Sequence, residues 1–195
     1  MTGSAMADEA LERLRAGNQH FVAGRRAYPD QTPAHRRELA AGQHPFAAIL
    51  GCADSRVPPE IILDQGLGNL FAVRVAGNIV DNASLGSLEY AVKHLGVPLI
   101  IVLGHSGCGA VQAAMASDVT QGQIATLVAA IQPGVRLAKT GPGEVLDQAV
   151  RINVAMVVRQ LRAAAPILAP LVEDGSIRIL GAHYDLASGV VEVLP

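Results

Sequence analysis

Short, continuous apolar runs alternate with helical segments from residue 46 onward. The apolar runs predict strands at Phe46 to Leu50, Leu70 to Val75, Pro98 to Leu103 and Ile177 to Leu180. The segments between them predict helices at Pro59 to Asp64, Ser84 to Leu95, Ala110 to Ala116, Gln123 to Ala138 and Glu144 to Ala163. A strand that is apolar throughout is buried on both faces, and strands joined through helices pair in parallel. The sequence therefore predicts an α/β fold with a mainly parallel β-sheet and helices on both faces.

The last part of the chain predicts one exception to the parallel pairing. Val190 to Leu194 is predicted as a strand, and it follows the strand at Ile177 to Leu180 after a short loop. A short connection favours antiparallel neighbours, because a parallel crossover usually needs a dozen or more residues. We therefore expect one antiparallel edge strand.

The residues before the sheet predict an N-terminal helical arm. Apolar residues recur at helical spacing between residues 8 and 23, and Thr32 followed by Pro33 is typical of an N-cap and a first helical residue. The arm either packs on its own domain or reaches a second subunit. We expect a single domain over residues 1–195, with the arm at 1–45 and the α/β core at 46–195.

Composition and charge exclude two classes of partner. Half of the 195 residues are hydrophobic, which is enough for a sizeable core, and the formal charge of −2 with no basic block argues against nucleic acid. Asp8 and Glu9 stand where a signal peptide would be cationic or apolar. The uncharged stretch at 96–117 is interrupted by glycines and polar residues, which argues against a membrane span. We expect a cytoplasmic protein, in which thiols stay reduced.

The chain's two cysteines follow two of the predicted strands. Cys52 comes directly after the first strand, while His105 and Cys108 follow the strand that ends at Leu103. Functional sites in parallel sheets form at the carboxyl ends of strands, so these side chains are expected to meet there. Two thiols and an imidazole are zinc ligands, and three protein ligands leave one position free, as in catalytic sites. The alternatives are a disulfide or two buried, inert cysteines.

Asp54 and Arg56 follow Cys52 at intervals of two residues. In extended geometry the three side chains would point the same way. Two thiolates neutralise the charge of zinc, so its water should be acidified less than at a site made of histidines. Arg56 can hold Asp54 bidentately and keep it ionised, and the carboxylate can then orient zinc-bound hydroxide. The alternative interpretation is a surface ion pair of little energetic value.

These two segments resemble the zinc-binding signatures of the β-class carbonic anhydrases. They are Cys-Ala-Asp-Ser-Arg-Val at 52–57 and Gly-His-Ser-Gly-Cys-Gly at 104–109, in the family's order and at a similar separation. The resemblance implies a lyase that reversibly hydrates carbon dioxide to bicarbonate and a proton. It implies one zinc ion per subunit, bound by Cys52, His105 and Cys108, with Asp54 and Arg56 as the catalytic pair.

The resemblance also implies a substrate pocket and an assembly. The positions that match the family's pocket are Gln43, Phe71, Ala76, Tyr90 and Gly109. Of these, Gln43, Phe71 and Tyr90 would come from the partner subunit of a homodimer, which could in turn form a homotetramer. From the residues alone, Phe71 and Tyr90 are equally compatible with core packing.

Two other functions are compatible with the same residues. One is hydrolysis of carbonyl sulfide or carbon disulfide on the same scaffold, which the width and length of the access route would decide. The other is a non-catalytic, zinc-stabilised interaction protein, against which the intact Asp54 and Arg56 argue.

The resemblance further implies an open site. Some family members move the catalytic aspartate onto zinc when bicarbonate fills a nearby pocket that resembles a Trp–Arg–Tyr trio. Arg74 and Tyr184 match two of these positions, but Ile49 stands at the position of the tryptophan and has no indole N–H to donate. We therefore expect Asp54 to remain with Arg56, in a site that bicarbonate does not gate.

Overall fold

A five-stranded sheet lies at the centre of the computed structural model, which describes residues 3–27, 29–116, 121–141 and 144–195. Its strands are β1 (Ala47–Gly51), β2 (Leu70–Arg74), β3 (Leu99–His105), β4 (Arg178–Tyr184) and β5 (Val191–Val193). They are ordered β2-β1-β3-β4-β5, and every pairing is parallel except the antiparallel pair β4–β5. The predicted mainly parallel sheet with one antiparallel edge strand is confirmed.

Helices connect most of the strands. Within the described residues they are α1 (Gly3–Val22), α2 (Pro33–Glu38), α3 (Pro59–Ile62), α4 (Asn82–Leu95), α5 (Gly109–Ala116), α6 (Ile124–Ala138), α7 (Val145–Arg162) and α8 (Leu168–Glu173). Short 3₁₀ turns add Leu39–Ala41 and Ala76–Asn78. The helix α8 and the turn at Ala76–Asn78 were not predicted from the sequence. None of the described helices is both long enough and apolar enough to cross a membrane.

The two faces of the sheet bury separate apolar clusters. Strands β1 and β3 are buried along their whole length, and their side chains alternate between the faces. On one face, Ile49 packs in the same cluster as Leu11 of α1. On the other face, Leu50 packs in a cluster with Leu88 of α4 and Val154 of α7. Coverage on both faces explains why these strands are apolar throughout.

Helix α1 packs on the sheet of its own chain. Its buried apolar residues belong to the same cluster as those of β1 and β3. The buried Asn18 joins it to α3 and to the residues before β5, because its amide nitrogen donates to the carbonyls of Ile62 and Gly189, at 3.0 and 2.8 Å. Its amide oxygen accepts from the backbone of Val191 at 2.9 Å. Of the two alternatives for the arm, α1 therefore takes the first and packs on its own domain.

Helix α2 begins as its sequence predicts but buries none of its residues. The Thr32 hydroxyl accepts the backbone N–H of His35 at 3.1 Å, and Pro33 is the first helical residue. Gly42 ends the 3₁₀ turn that follows. The sequence also predicts a turn at Gly141–Pro142–Gly143, of which only Gly141 belongs to the described residues.

Candidate metal centre

The parallel pairing of β1 and β3 brings the two cysteine segments to one edge of the sheet. Gly51 at the end of β1 pairs with Leu103 of β3, so Cys52, which follows β1, lies near His105, which is the last residue of β3. Cys108 follows a tight turn and directly precedes α5. The three residues are buried, and the ligand atoms of Cys52, His105 and Cys108 all lie within 4.8 Å of one another.

The two sulfurs are not bridged. Both cysteines are free, and their Sγ atoms lie 4.0 Å apart, about twice the length of a disulfide bond. Two thiolates at about 2.3 Å from one tetrahedral zinc ion would lie about 3.8 Å apart, which is close to the observed separation. The structure therefore does not contain the disulfide that the sequence left open.

The His105 ring presents a free nitrogen to the sulfurs. Its Nδ1 lies 3.0 Å from the Ser106 carbonyl and donates its proton there, which leaves a lone pair on Nε2. That Nε2 is buried, and within the described residues it has no hydrogen-bond partner. A buried nitrogen without a partner is costly unless it binds something else. A metal ion bound between this nitrogen and the two sulfurs would satisfy it, and the donor set suits zinc.

The backbone and the second thiol both stabilise charge on Cys52. Its Sγ accepts the backbone N–H of Gly77 at 3.3 Å and that of Asp54 at 3.4 Å. The hydrogen bond from the Cys108 thiol is the largest influence and lowers the pKa of Cys52, while the same contact raises the pKa of Cys108. One negative charge is therefore favoured and a second is opposed. A divalent cation would stabilise both thiolates.

Asp54 and Arg56 form a bidentate ion pair beside the cluster. The Arg56 Nε donates to Oδ1 at 2.9 Å, and its Nη2 donates to Oδ2 at 2.6 Å. These hydrogen bonds hold the pKa of the Asp54 carboxyl well below its usual range. Asp54 Oδ2 lies 3.9 Å from Nε2 of His105, so the ionised carboxylate faces the position at which a metal would bind.

The pair forms through a turn, and the predicted extended geometry from Cys52 to Arg56 is wrong. The backbone N–H of Arg56 donates to Asp54 Oδ1 at 2.9 Å, and that of Val57 donates to the Asp54 carbonyl at 3.2 Å. Aspartate side chains commonly close such turns on a backbone N–H two residues ahead. The turn also lets Arg56 donate to the Gly107 carbonyl at 3.3 Å, which links the two cysteine segments.

Arg74 holds the segment that follows β1. Its Nε donates to the Cys52 carbonyl at 3.1 Å, and its Nη2 donates to the Asp54 carbonyl at 2.6 Å. The register explains this contact, because Arg74 pairs with Gly51 at the end of β1. Of the two other positions compared above, Tyr184 is buried against Phe21 and Ile49 is completely buried.

Three supporting residues were missed in the sequence analysis. Gly77 donates to the Cys52 sulfur, and the Asn153 side chain donates to the Gly77 carbonyl at 2.9 Å. Ser106 ties the second segment to β4, because its backbone N–H donates to the Tyr184 carbonyl at 2.9 Å. Ser106 lies inside the signature at 104–109 and Gly77 follows the predicted pocket residue Ala76, whereas Asn153 lies in the middle of α7 without a distinguishing sequence signal.

The predicted pocket residues fall into two groups in the structure. Ala76 and Gly109 adjoin Gly77 and Cys108, so they lie at the metal edge. Phe71 pairs with Ala48, which is four residues before Cys52 and therefore about 13 Å away along the strand.

Tyr90 lies beside Phe71 rather than beside the metal cluster. The two rings have centroids 6.3 Å apart, and Tyr90 is 48% exposed. Gln43 is also exposed. The exposure of Tyr90 disfavours the core-packing alternative for this residue, and the single chain keeps Phe71 apart from its own metal edge.

The comparisons with known proteins agree with this geometry. The carbonic anhydrase family model matches residues 47–191. A Mycobacterium tuberculosis protein named carbonic anhydrase 2 is 45% identical over 184 residues, covering 92% of this chain and 89% of its own. The carbonic anhydrase of Mycolicibacterium smegmatis is 41% identical over 188 residues, covering 94% and 91%. A tetrameric β-carbonic anhydrase of Sordaria macrospora has a TM-score of 0.77 at 28% identity, covering 88% and 90%.

A mainly parallel sheet with a buried Cys–His–Cys set at its carboxyl edge defines a zinc-dependent α/β enzyme. The family match and the 45% identity then decide which one. The chain belongs to the β-carbonic anhydrase family, and it catalyses the zinc-dependent, reversible hydration of carbon dioxide to bicarbonate and a proton.

Proposed function

We propose that Cys52, His105 and Cys108 hold the zinc ion and that Asp54, held by Arg56, orients the attacking oxygen. The observation that carries this proposal is the buried Nε2 of His105, which lacks a hydrogen-bond partner among the described residues and lies within 4.8 Å of both sulfurs. The three protein ligands leave the fourth position for water or substrate, which is the arrangement of a catalytic site.

Asp54 supplies the orientation in this mechanism. Bound zinc would lower the pKa of a coordinated water and so supply a nucleophile near neutral pH. An ionised carboxylate only accepts hydrogen bonds, so the attacking water donates its O–H to Asp54, which directs an oxygen lone pair toward carbon dioxide. Arg56 keeps Asp54 ionised and fixes both of its oxygens. Gly107, whose carbonyl accepts from Arg56, connects this pair to the second cysteine segment.

The role of Asp54 is tested by the substitution Asp54→Asn. The amide keeps the shape but loses the charge and adds donors, so we expect carbon dioxide hydration to fall by about 10² or more while zinc stays bound. Stopped-flow hydration and zinc content are measured on the same sample. Asp147, which pairs with Arg151 at 2.8 Å on α7, provides the matched control Asp147→Asn, with an unchanged rate. Near-normal hydration by zinc-replete Asp54→Asn would refute the role.

We further propose that the pocket is completed by a second copy of the chain. Ala76 and Gly109 would come from the same subunit as the zinc ligands, whereas Gln43, Phe71 and Tyr90 would come from the partner. The distance of Phe71 from its own metal edge and the exposure of Tyr90 support this division. The assembly would be a homodimer or a homotetramer, and the Sordaria macrospora relative is described as tetrameric.

The assembly is tested by sedimentation together with hydration activity. We expect the protein to sediment as a dimer or larger. Tyr90→Arg should lower assembly and activity together, because it places a charge where the half-exposed ring is proposed to contact the partner subunit. Leu137→Arg is the matched control, since Leu137 is a similarly exposed apolar residue on α6, at 55% against 48% for Tyr90. A fully active monomer would contradict the shared pocket.

We propose that bicarbonate does not gate this site. Asp54 is held on both oxygens by Arg56, and the Arg74 guanidinium already donates to two backbone carbonyls. The side chain of Ile49 offers no N–H for an anion. Inhibition by bicarbonate should therefore be non-cooperative.

Residues 1–195 would form one domain that works in the cytoplasm. The single-domain proposal rests on α1, whose apolar residues share a cluster with β1 and β3. Two unbridged cysteines suit a reducing compartment. The proposed small-molecule partners are carbon dioxide and bicarbonate.

A further inference from the structure

A buried side chain of α7 reaches the turn that contacts the Cys52 sulfur. Asn153 is only 2% exposed, and its Nδ2 donates to the Gly77 carbonyl at 2.9 Å. The backbone N–H of Gly77 in turn donates to Cys52 Sγ at 3.3 Å. Gly77 is thus held on one side by Asn153 and donates on its other side to a proposed zinc ligand.

The turn at Ala76–Asn78 depends on such outside contacts. Gly77 has φ +71° and Asn78 has φ +43°, so two consecutive residues adopt the left-handed conformation. Asparagine adopts this conformation more readily than most residues with a side chain, and two such residues in succession are held in it by the packing around the turn. Ile131 of α6 also restricts the turn, because a Cβ added at Gly77 would lie 2.6 Å from its Cδ1. The direction of the Gly77 N–H is therefore set by α6 and α7.

We propose that Asn153 is a positioning residue that fixes Gly77 and thereby limits the charge that Cys52 donates to zinc. The inference rests on the proposed role of Cys52 as a ligand. A hydrogen bond to a thiolate withdraws electron density from the sulfur, and such bonds tune metal centres. Two thiolates already cancel the charge of zinc. Each N–H that donates to a thiolate sulfur reduces the charge that the sulfur gives to the ion, and the more positive ion then activates its fourth ligand more strongly.

The test uses Asn153→Asp in protein loaded with Co²⁺, whose sulfur-to-metal absorption reports on the thiolates. The aspartate keeps the shape but places an oxygen against the Gly77 carbonyl, which loosens the turn. We expect the band to move to longer wavelength, because the sulfur electrons are then held less tightly. Zinc affinity, measured by chelator competition, should fall because the loosened turn no longer holds Cys52 in position for the metal, and the loss of an outer hydrogen-bond partner usually costs about 10- to 100-fold. The kcat should fall with little change in KM.

Asn18→Asp is the matched control. Asn18 is equally an interior asparagine, at 6% exposure, and donates to two backbone carbonyls away from the metal edge. This variant should lose stability without moving the cobalt band. Asn153→Ser is a second test variant, because its side chain is too short to reach the Gly77 carbonyl, and it should shift the band in the same direction.

The possible outcomes distinguish failure of the positioning role of Asn153 from failure of the proposed zinc ligand set. Folded Asn153 variants with the parent band and parent zinc affinity would overturn the positioning role. If both variants were unfolded, Asn153 would be assigned to the core alone, which would overturn it as well. Absence of any sulfur-to-cobalt band in the parent protein would instead refute the ligand set.

Discussion

The turn between His105 and Cys108 is formed by neighbouring residues, whereas the sulfur and the carbonyl of Cys52 accept hydrogen bonds from distant parts of the chain. His105 ends β3, Cys108 precedes α5, and between them Gly107 turns the chain with φ +62°. Cys52 instead receives the N–H of Gly77, 25 residues away, and its carbonyl accepts from Arg74, 22 residues away.

This difference separates two requirements of the same site. The segment at 104–109 takes its local shape from a strand end, a turn and a helix start, and Ser106 and Gly107 then join it to β4 and to Arg56. The segment at 52–57 closes its own turn through Asp54, but the hydrogen bonds from Gly77 and Arg74 to Cys52 form only when β2, α6 and α7 pack around it. Substitutions far from the cluster should therefore affect the Cys52 side more than the Cys108 side.

The largest expected effect comes from removing either sulfur. Cys108→Ser and Cys52→Ser should each lose most of the bound zinc, because a hydroxyl is a much poorer zinc ligand than a thiolate. The loss of affinity should exceed the roughly 100-fold cost of losing an outer hydrogen-bond partner. Zinc per chain is measured by metal analysis, and a full zinc ion in either variant would remove that residue from the ligand set.

A pair of glycine variants compares the surroundings of Cys52 and Cys108 directly. Their effects should be smaller than those of the cysteine substitutions. Gly107→Ala introduces a side chain at a left-handed residue, which costs about 1–2 kcal/mol. It adds no overlap, because the new Cβ would contact only Leu186, at 3.7 Å. Gly77→Ala carries the same strain and also overlaps Ile131 at 2.6 Å, and such overpacking costs about 1–3 kcal/mol more.

Urea unfolding with a chelator present measures both variants without a contribution from zinc. We expect the free energy of unfolding to fall more in Gly77→Ala than in Gly107→Ala. Equal losses, or a larger loss at Gly107, would show that the surroundings of Cys52 are no more demanding than those of Cys108.

The sequence predicted the sheet and both cysteine segments because apolar runs mark buried strands directly. It ended β4 at Leu180, but the strand continues to Tyr184. Gly181 and His183 interrupt the apolar pattern, yet the backbone stays paired with β3 as far as His105. Helix α8 was missed because six residues are too few to show a helical period.

The remaining errors concern hydrogen bonds that a linear pattern does not contain. Asp54 and Arg56 were expected to meet through an extended chain, but the Asp54 side chain closes a turn by accepting the Arg56 N–H. The contact between Asn153 and Gly77 spans 76 residues and depends on how α7 packs on the turn. No local spacing could have indicated it.

Zinc content and stopped-flow carbon dioxide hydration, measured on one preparation, test the central claim most directly. The cluster of Cys52, His105 and Cys108 predicts one zinc ion per chain. Hydration should fall in proportion to the zinc removed by a chelator and return when zinc is added back. Full hydration activity in zinc-free protein, or a zinc-replete protein that does not hydrate carbon dioxide, would contradict it.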